Sequence, residues 1–190
     1  GKEVLSMEDM IRQFSLERVN AAPAVFDGVK MKWMNSMYVR SMDHKSLWEL
    51  LHPFLKESGL DFSEMDEEWI DKALSALKTA FETLLEAVPL FAPLNDKNFK
   101  LEPEAQPVLS WPTTKSVIDT WRQELQSSSA KYLTGEEFEA LQKKVQGACN
   151  VKGKELFQPM RVAIVGKPHG TELKQLVPLL PVKSLIHRAT

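Results

Sequence analysis

The sequence predicts an all-α protein, and three observations carry that expectation. Apolar residues recur at three- and four-residue spacing through most of the 190 positions, the period of helices with one buried face. Ser, Asp and Thr at helix starts, and Gly or Pro near helix ends, frame those runs. No β-branched alternation of useful length occurs before Arg161. With 43% hydrophobic and 26% charged residues, a chain of this length can bury a substantial core, as one large or two small domains.

Taken in order, "SMEDMIRQF" offers Ser6 as an N-cap, acids in the first turn, and Met7, Met10, Ile11 and Phe14 at helical spacing. In "FDGVKMKWMNSMYVRSM", Asp27 is the N-cap; Lys30, Trp33 and Met37 form one stripe and Met31, Met34 and Tyr38 its neighbour, giving a wide apolar face. "HKSLWELLHPFLKESG" puts Leu47, Leu50, Leu51, Phe54 and Leu55 in register, with Gly59 as the stop and His52 at the surface or a helix end. "DEEWIDKALSALKTAFETLLEAVPLF" continues the pattern through Trp69, Ile70, Leu74, Leu77, Phe81 and Leu84 and should end near Pro89; its leading acids suit the helix dipole. Pro89, Pro93, Pro103, Pro107 and Pro112 then crowd a stretch with no sustained apolar period, which predicts a domain junction. Beyond it, "TTKSVIDTWRQELQSS" and "TGEEFEALQKKVQGACN" read as helices, the second with Thr134 and Glu137 at capping-box spacing.

The net charge of −2 hides an asymmetry. Residues 1–56 carry 8 basic and 7 acidic groups, residues 57–130 carry 6 and 14, and residues 131–190 carry 10 and 5. A basic last third behind an acidic middle suits a protein that turns one face to a polyanion, although a charge excess alone also describes a solvated surface. The single cysteine, Cys149, has no partner for an internal disulfide or a structural zinc site; it reads as a small apolar filler in a reducing compartment, with the cytoplasm expected. No apolar run approaches the roughly 20 residues that cross a bilayer, and the first residues do not form a signal peptide, so no membrane partner is expected.

The stretch "RVAIVGKPHGTEL" imitates a strand entering a phosphate-binding loop. The P-loop consensus needs a glycine five residues before its Gly-Lys pair and a Ser or Thr after it; here Gly166 is followed by Lys167 and then Pro168, which lacks an N–H. The four histidines, at positions 44, 52, 169 and 187, show no constellation for metal or nucleophilic chemistry, and the acid pair Glu67 and Glu68 is explained by a helix start. The residues therefore predict no catalytic group and no metal site.

Two segments carry a resemblance. "FDGVKMKWMNSMYVR" is similar to a signature of bacterial glutamyl-tRNA synthetases through Phe26, Asp27, Lys30, Trp33, Met34, Asn35, Tyr38 and Arg40. "LFQPMRVAIVGKPHGTELKQLVPLL" resembles the C-terminal segment of the same family through Gln158, Pro159, Arg161, Ala163 and Gly166. The lead-in "SMEDMIRQFSLERVN" with "PAVFD" is similar too, while the middle third matches mainly in its helical pattern.

The resemblance implies the end of a stem-contact region at 1–43, then two helical anticodon-binding domains of bundle or cage type, at 44–98 and 99–190. It implies that ATP, with Mg, and the bond-making residues belong to a catalytic half not represented here, with Gly1 at an edge just after it; this piece alone would be inactive and hold no cofactor. The partner implied is the tRNA for glutamate, bound by a monomer, with no DNA. By residue-wise match, Arg161 contacts the anticodon, Gly170, Thr171 and Leu173 surround its first base, and Lys167 meets a phosphate. "KELFQPMRVAIVG" becomes a helix interrupted at Pro159, with "KPHGT" the loop after it, and Gly166 and Gly170 fit close approach of backbone to a base. Lys30, Lys32 and Arg40 would approach the RNA stem, Trp33 is either core or a stacking platform, and Met31, Met34 and Tyr38 are core. One departure stands out: where some members place an arginine that reads the third base, this chain has Ala80, with Lys78 the candidate substitute. A lysine is a poorer base reader than a planar guanidinium, so the tRNA for glutamine enters as a further partner. Two other readings compete: a helical protein-interaction module, and a nucleotide-binding fragment built on the Gly166 loop.

Overall fold

The computed structural model describes residues 4–20 and 25–189, and over them the chain is all-α. Pro23 and Ala24 of the "PAVFD" lead-in, and Gly1, lie outside the described residues. The helices are α1 (Met7–Gln13), α2 (Gly28–Ser41), α3 (His44–Glu57), α4 (Glu67–Leu77), α5 (Leu84–Phe91), α6 (Gln106–Leu109), α7 (Thr114–Gln126), α8 (Gly135–Cys149), α9 (Lys154–Val165), α10 (Leu173–Leu176) and α11 (Val182–Arg188). Short 3₁₀ turns link several of them. Among the described residues there is no strand, only an isolated bridge between Tyr132 and Pro181. No helix there is long and apolar enough to cross a membrane.

The helix starts follow from side chains that take up orphan N–H groups. Ser6, Asp27, Asp43 and Asp66 each accept from the third residue of the helix they cap, and Thr134 and Glu137 form the expected capping box on α8. The long run after residue 66 is broken, however. Phe81 and Thr83 are extended, and a second capping box, Thr83 with Glu86, starts α5 afresh. The helical spacing survives the break because Phe81 is still buried.

Prolines punctuate less than the sequence suggests. Pro53, Pro89 and Pro159 all sit inside helices; α5 ends at Phe91, near Pro89 as expected, whereas the expected interruption at Pro159 is corrected, because α9 runs through it. Each proline leaves the carbonyl four residues earlier without its donor, and those residues, Glu49, Leu85 and Glu155, are all exposed. Water can take the freed carbonyl at each place, which keeps the cost of the missing bond low.

Beside a smaller separate cluster that joins Ala105, Val108 and Val162, the main core cluster draws on residues from Val39 to Ala189. Leu47, Leu51, Leu55, Leu74, Leu77 and Phe91 supply it from α3, α4 and α5, while Trp121, Leu125, Phe138, Val145, Leu156 and Met160 supply it from α7, α8 and α9. Trp69 joins the two groups, its indole Nε1 donating to the Leu179 carbonyl at 2.9 Å. Residues 4–41 behave differently. Met31 and Tyr38, expected in the core, are 51% and 42% exposed, and only Ser36 and Val39 of α2 are buried. The wide apolar face of α2 exists, but no described residue covers its full width. Leu50 and Phe54 likewise face outward from α3.

Candidate nucleic-acid interface

The loop after α9 is built from both of its ends. Gly166 stops the helix with φ of 79°, its N–H bonding to the Val162 carbonyl. A Cβ at this position would lie 2.0 Å from the Lys100 carbonyl oxygen, and the Gly166 carbonyl accepts from Glu102 N at 2.9 Å. The close backbone approach expected at Gly166 is therefore made by the chain itself. Residues 167–172 then turn outward as a loop, as expected for "KPHGT". Lys167 lines a cleft of about 310 Å³ with Pro93, Phe99, Glu102 and Val165. Exposed His169 pairs through Nε2 with Glu104, and a Cβ on Gly170, which has φ of 125°, would stand 3.6 Å from Cε of Lys167, an ordinary contact.

Arg161 closes the loop. Its Nη1 donates to the Thr171 carbonyl at 2.7 Å, tying the far end of the loop back onto α9. The guanidinium is half-buried; burial lowers its pKa and the nearby Glu172 carboxylate opposes that, while a guanidinium keeps its charge at working pH. The remaining donors of its fork make no hydrogen bond among the described residues, so they stay available at the loop's inner edge. Leu173 lies just past the loop, at the start of α10. It is 5% exposed and fills the core. As the structure stands, its side chain does not line the loop's outer surface.

A second group sits where α2 meets the 3₁₀ turn Lys78–Ala80 and the start of α5. Lys32 Nζ lies 2.5 Å from Glu86 and 3.7 Å from Glu82; the Glu86 bond foremost raises the pKa of Lys32 and lowers that of Glu86. Asn35 donates to the Glu82 carbonyl, and Lys78 to the Met42 carbonyl. Lys32 and Lys78 are thus engaged within the chain. Lys30, Arg40 and Ala80 are exposed, and Trp33, at 42% exposure, lies on the surface and not in the core.

Sequence reasoning missed Arg188. Its side chain is 1% exposed, and its guanidinium donates to Asp96 Oδ1 from Nη2 at 2.6 Å and from Nε at 3.1 Å, and from Nη1 to the carbonyls of Pro93 and Ile164 at 2.8 Å each. It also stands 4.6 Å over the Phe99 ring. No period or motif in "HRAT" could have announced a buried charge. The nucleotide-binding reading is overturned on geometry: the residues before Gly166 form a helix with no strand, and the glycine is a helix stop wedged on Lys100. These residues do not fit ATP with Mg. Among the described residues, no group of three or more His, Cys, Asp or Glu is placed to hold a metal ion.

A family model described as an anticodon binding domain matches residues 46–189. A glutamate–tRNA ligase of Bdellovibrio bacteriovorus is 43% identical over 189 residues, covering 100% of this chain and 38% of that protein. The glutamate–tRNA ligase of Aquifex aeolicus is 32% identical, covering 99% of this chain and 39% of that protein. The chain thus spans about two fifths of the length of these relatives. Among solved structures, a glutamate tRNA ligase from Elizabethkingia meningosepticum superposes with a TM-score of 0.81 over 99% of this chain and 36% of that one; at 20% identity, this is a likeness of fold.

Proposed function

The chain belongs to the anticodon binding domain family, and from that premise we propose that it is the anticodon-reading part of a glutamate–tRNA ligase. The whole enzyme would join glutamate to its tRNA with ATP, in the cytoplasm, and the ATP chemistry would belong to the part that this chain does not span. The observation that carries the reading is the loop at 166–172, anchored at its root by Gly166 on Lys100 and at its far end by Arg161 on Thr171. An anticodon is a single-stranded loop whose bases are splayed and read on their edges, and a rigid receiving loop keeps the ordering cost low. Residues 131–190, with 10 basic and 5 acidic groups, supply the attraction for phosphates.

Within this reading, Arg161 and the backbone of residues 170 and 171 face the bases, and Lys167 meets a phosphate. Lys30 and Arg40 approach the stem. Lys32 and Lys78 serve first as internal ties, which weakens the case for Lys78 as a base reader in place of an arginine. Relaxed discrimination between glutamate and glutamine tRNAs follows as part of the proposal, as does a monomeric chain. The exposed apolar residues Met7, Ile11, Phe14, Phe26 and Val29 favour a second role for residues 4–41, contact with a protein neighbour.

The test is direct binding to the anticodon stem-loop of glutamate tRNA, beside the same stem with a scrambled loop. Affinity should fall with salt by roughly 0.7 to 0.9 log units per neutralised phosphate per decade. Equal binding to both RNAs would overturn base reading and leave the protein-contact role standing.

A further inference from the structure

Arg188 crosses from the C-terminal helix to a segment more than 90 residues earlier in the chain. On one side its guanidinium holds Asp96 and the Pro93 carbonyl; on the other it holds the carbonyl of Ile164, in the last turn of α9. That carbonyl has no partner within its own helix, because the last four carbonyls of any helix lack one. Two residues further on, Gly166 rests on the Lys100 carbonyl with no room for a side chain. Ser184 adds a hydrogen bond to the second oxygen of Asp96, so both oxygens of that carboxylate are engaged by α11. The end of α9, and with it the root of the 166–172 loop, is thereby locked in direction against the segment after α5.

We propose that Arg188 is a positioning residue for anticodon recognition: it aims the 166–172 loop and never touches RNA. The proposal rests on the anticodon-reading function above. A side chain 1% exposed cannot reach a ligand. It can fix an angle, because its planar fork satisfies several acceptors at set directions, which a flexible ammonium cannot do. Base edges are read by hydrogen bonds that tolerate little misplacement, whereas phosphate attraction tolerates a good deal. Loss of aim should therefore reduce discrimination more than total affinity.

A merely structural role makes a different prediction. Destabilisation lowers the fraction of binding-competent molecules, which weakens cognate and scrambled RNAs by the same factor and leaves their ratio unchanged. The ratio is thus the informative quantity. The experiment measures binding of the 190-residue chain and its Arg188→Lys and Asp96→Asn variants to the glutamate anticodon stem-loop and to the scrambled-loop RNA, across a salt series. Helix content and thermal melting are recorded in parallel. The expected result is a folded variant whose preference for the cognate loop drops about tenfold, the size of one lost base contact, with the salt slope unchanged. If Arg188→Lys does not fold, Asp96→Asn decides, since its carboxamide keeps the shape and one acceptor. A folded variant with the native preference overturns the proposal. If the unaltered chain itself shows no preference, the anticodon-reading function fails first, so the two failures are told apart.

Discussion

Gly166 and Lys100 touch backbone to backbone: a Cβ added to the glycine would stand 2.0 Å from the Lys100 carbonyl oxygen. The contact has two costs for any other residue. The backbone is in the left-handed region, with φ of 79°, and the obstructing atom is a carbonyl, which has no rotamer to escape into. Gly166→Ala should therefore destabilise the fold by about 3 kcal/mol, combining backbone strain and displacement of the 99–102 segment. Urea denaturation checks it. A loss below about 1 kcal/mol would mean the crossing segment yields easily.

This contact also shows where the sequence stops being informative. The helices were legible because N-caps and apolar spacing are local: Ser6, Asp27 and the Thr134–Glu137 box are all as read. The break between α4 and α5 was written in the sequence as Thr83 and Glu86 at capping-box spacing, but the apolar rhythm through Phe81 masked it. Pro159 misled because the effect of a proline inside a helix depends on whether the freed carbonyl meets water, which is a tertiary fact. At the candidate site, Gly166 and Arg161 could be singled out by resemblance. Taken without it, the same tail reads as a helical hairpin whose arginine caps a carbonyl, and Arg161 does bond the Thr171 carbonyl. Arg188 and Asp96, 92 residues apart, left no local trace at all.

Trp69 and Leu179 give a second stability prediction. The indole Nε1–H is the buried donor for the Leu179 carbonyl at 2.9 Å, and it ties α4 to the turn Val177–Leu179. Trp69→Phe keeps most of the ring but leaves that carbonyl unpaired, which should cost about 1 to 3 kcal/mol. Equilibrium unfolding measures it. Since the bond links the two helical groups, the variant should also unfold less cooperatively, with transitions that separate when followed by helix signal and by tryptophan fluorescence.

The Asp96 carboxylate predicts an acid limb of stability. Burial works to raise its pKa, but the hydrogen bonds from Ser184 and Arg188 and the guanidinium charge outweigh it, so the folded-state value lies below the ordinary one. A depressed folded-state pKa contributes stability that is complete above the unfolded value of about 3.9 and is lost as pH falls through the lower folded value. The difference in stability between the native chain and Asp96→Asn should thus be full at neutral pH and shrink on acidification below about pH 4. A difference that is constant from pH 7 to pH 3 would show that the charge contributes nothing beyond the hydrogen bonds.

Under the proposed function Arg161 would act twice, and the two actions can be separated. Its Nη1 holds the Thr171 carbonyl, so Arg161→Ala should loosen residues 167–172 and speed amide exchange there, even without RNA. With RNA present it should weaken binding to the glutamate anticodon stem-loop by about 1 to 3 kcal/mol and blunt the preference over a scrambled loop. Lys167→Ala is the contrast. Lys167 ties into no hydrogen bond or ion pair among the described residues, and a lost phosphate contact should flatten the salt slope by about one unit while leaving base preference intact. Arg161→Lys separates charge from geometry, because an ammonium restores the charge and one donor but not the fork. If it recovers the slow amide exchange without the base preference, the bond to Thr171 orders the loop and the free donors of the fork read the bases. Should all three variants lower affinity equally for every RNA, the loop would be an electrostatic surface alone.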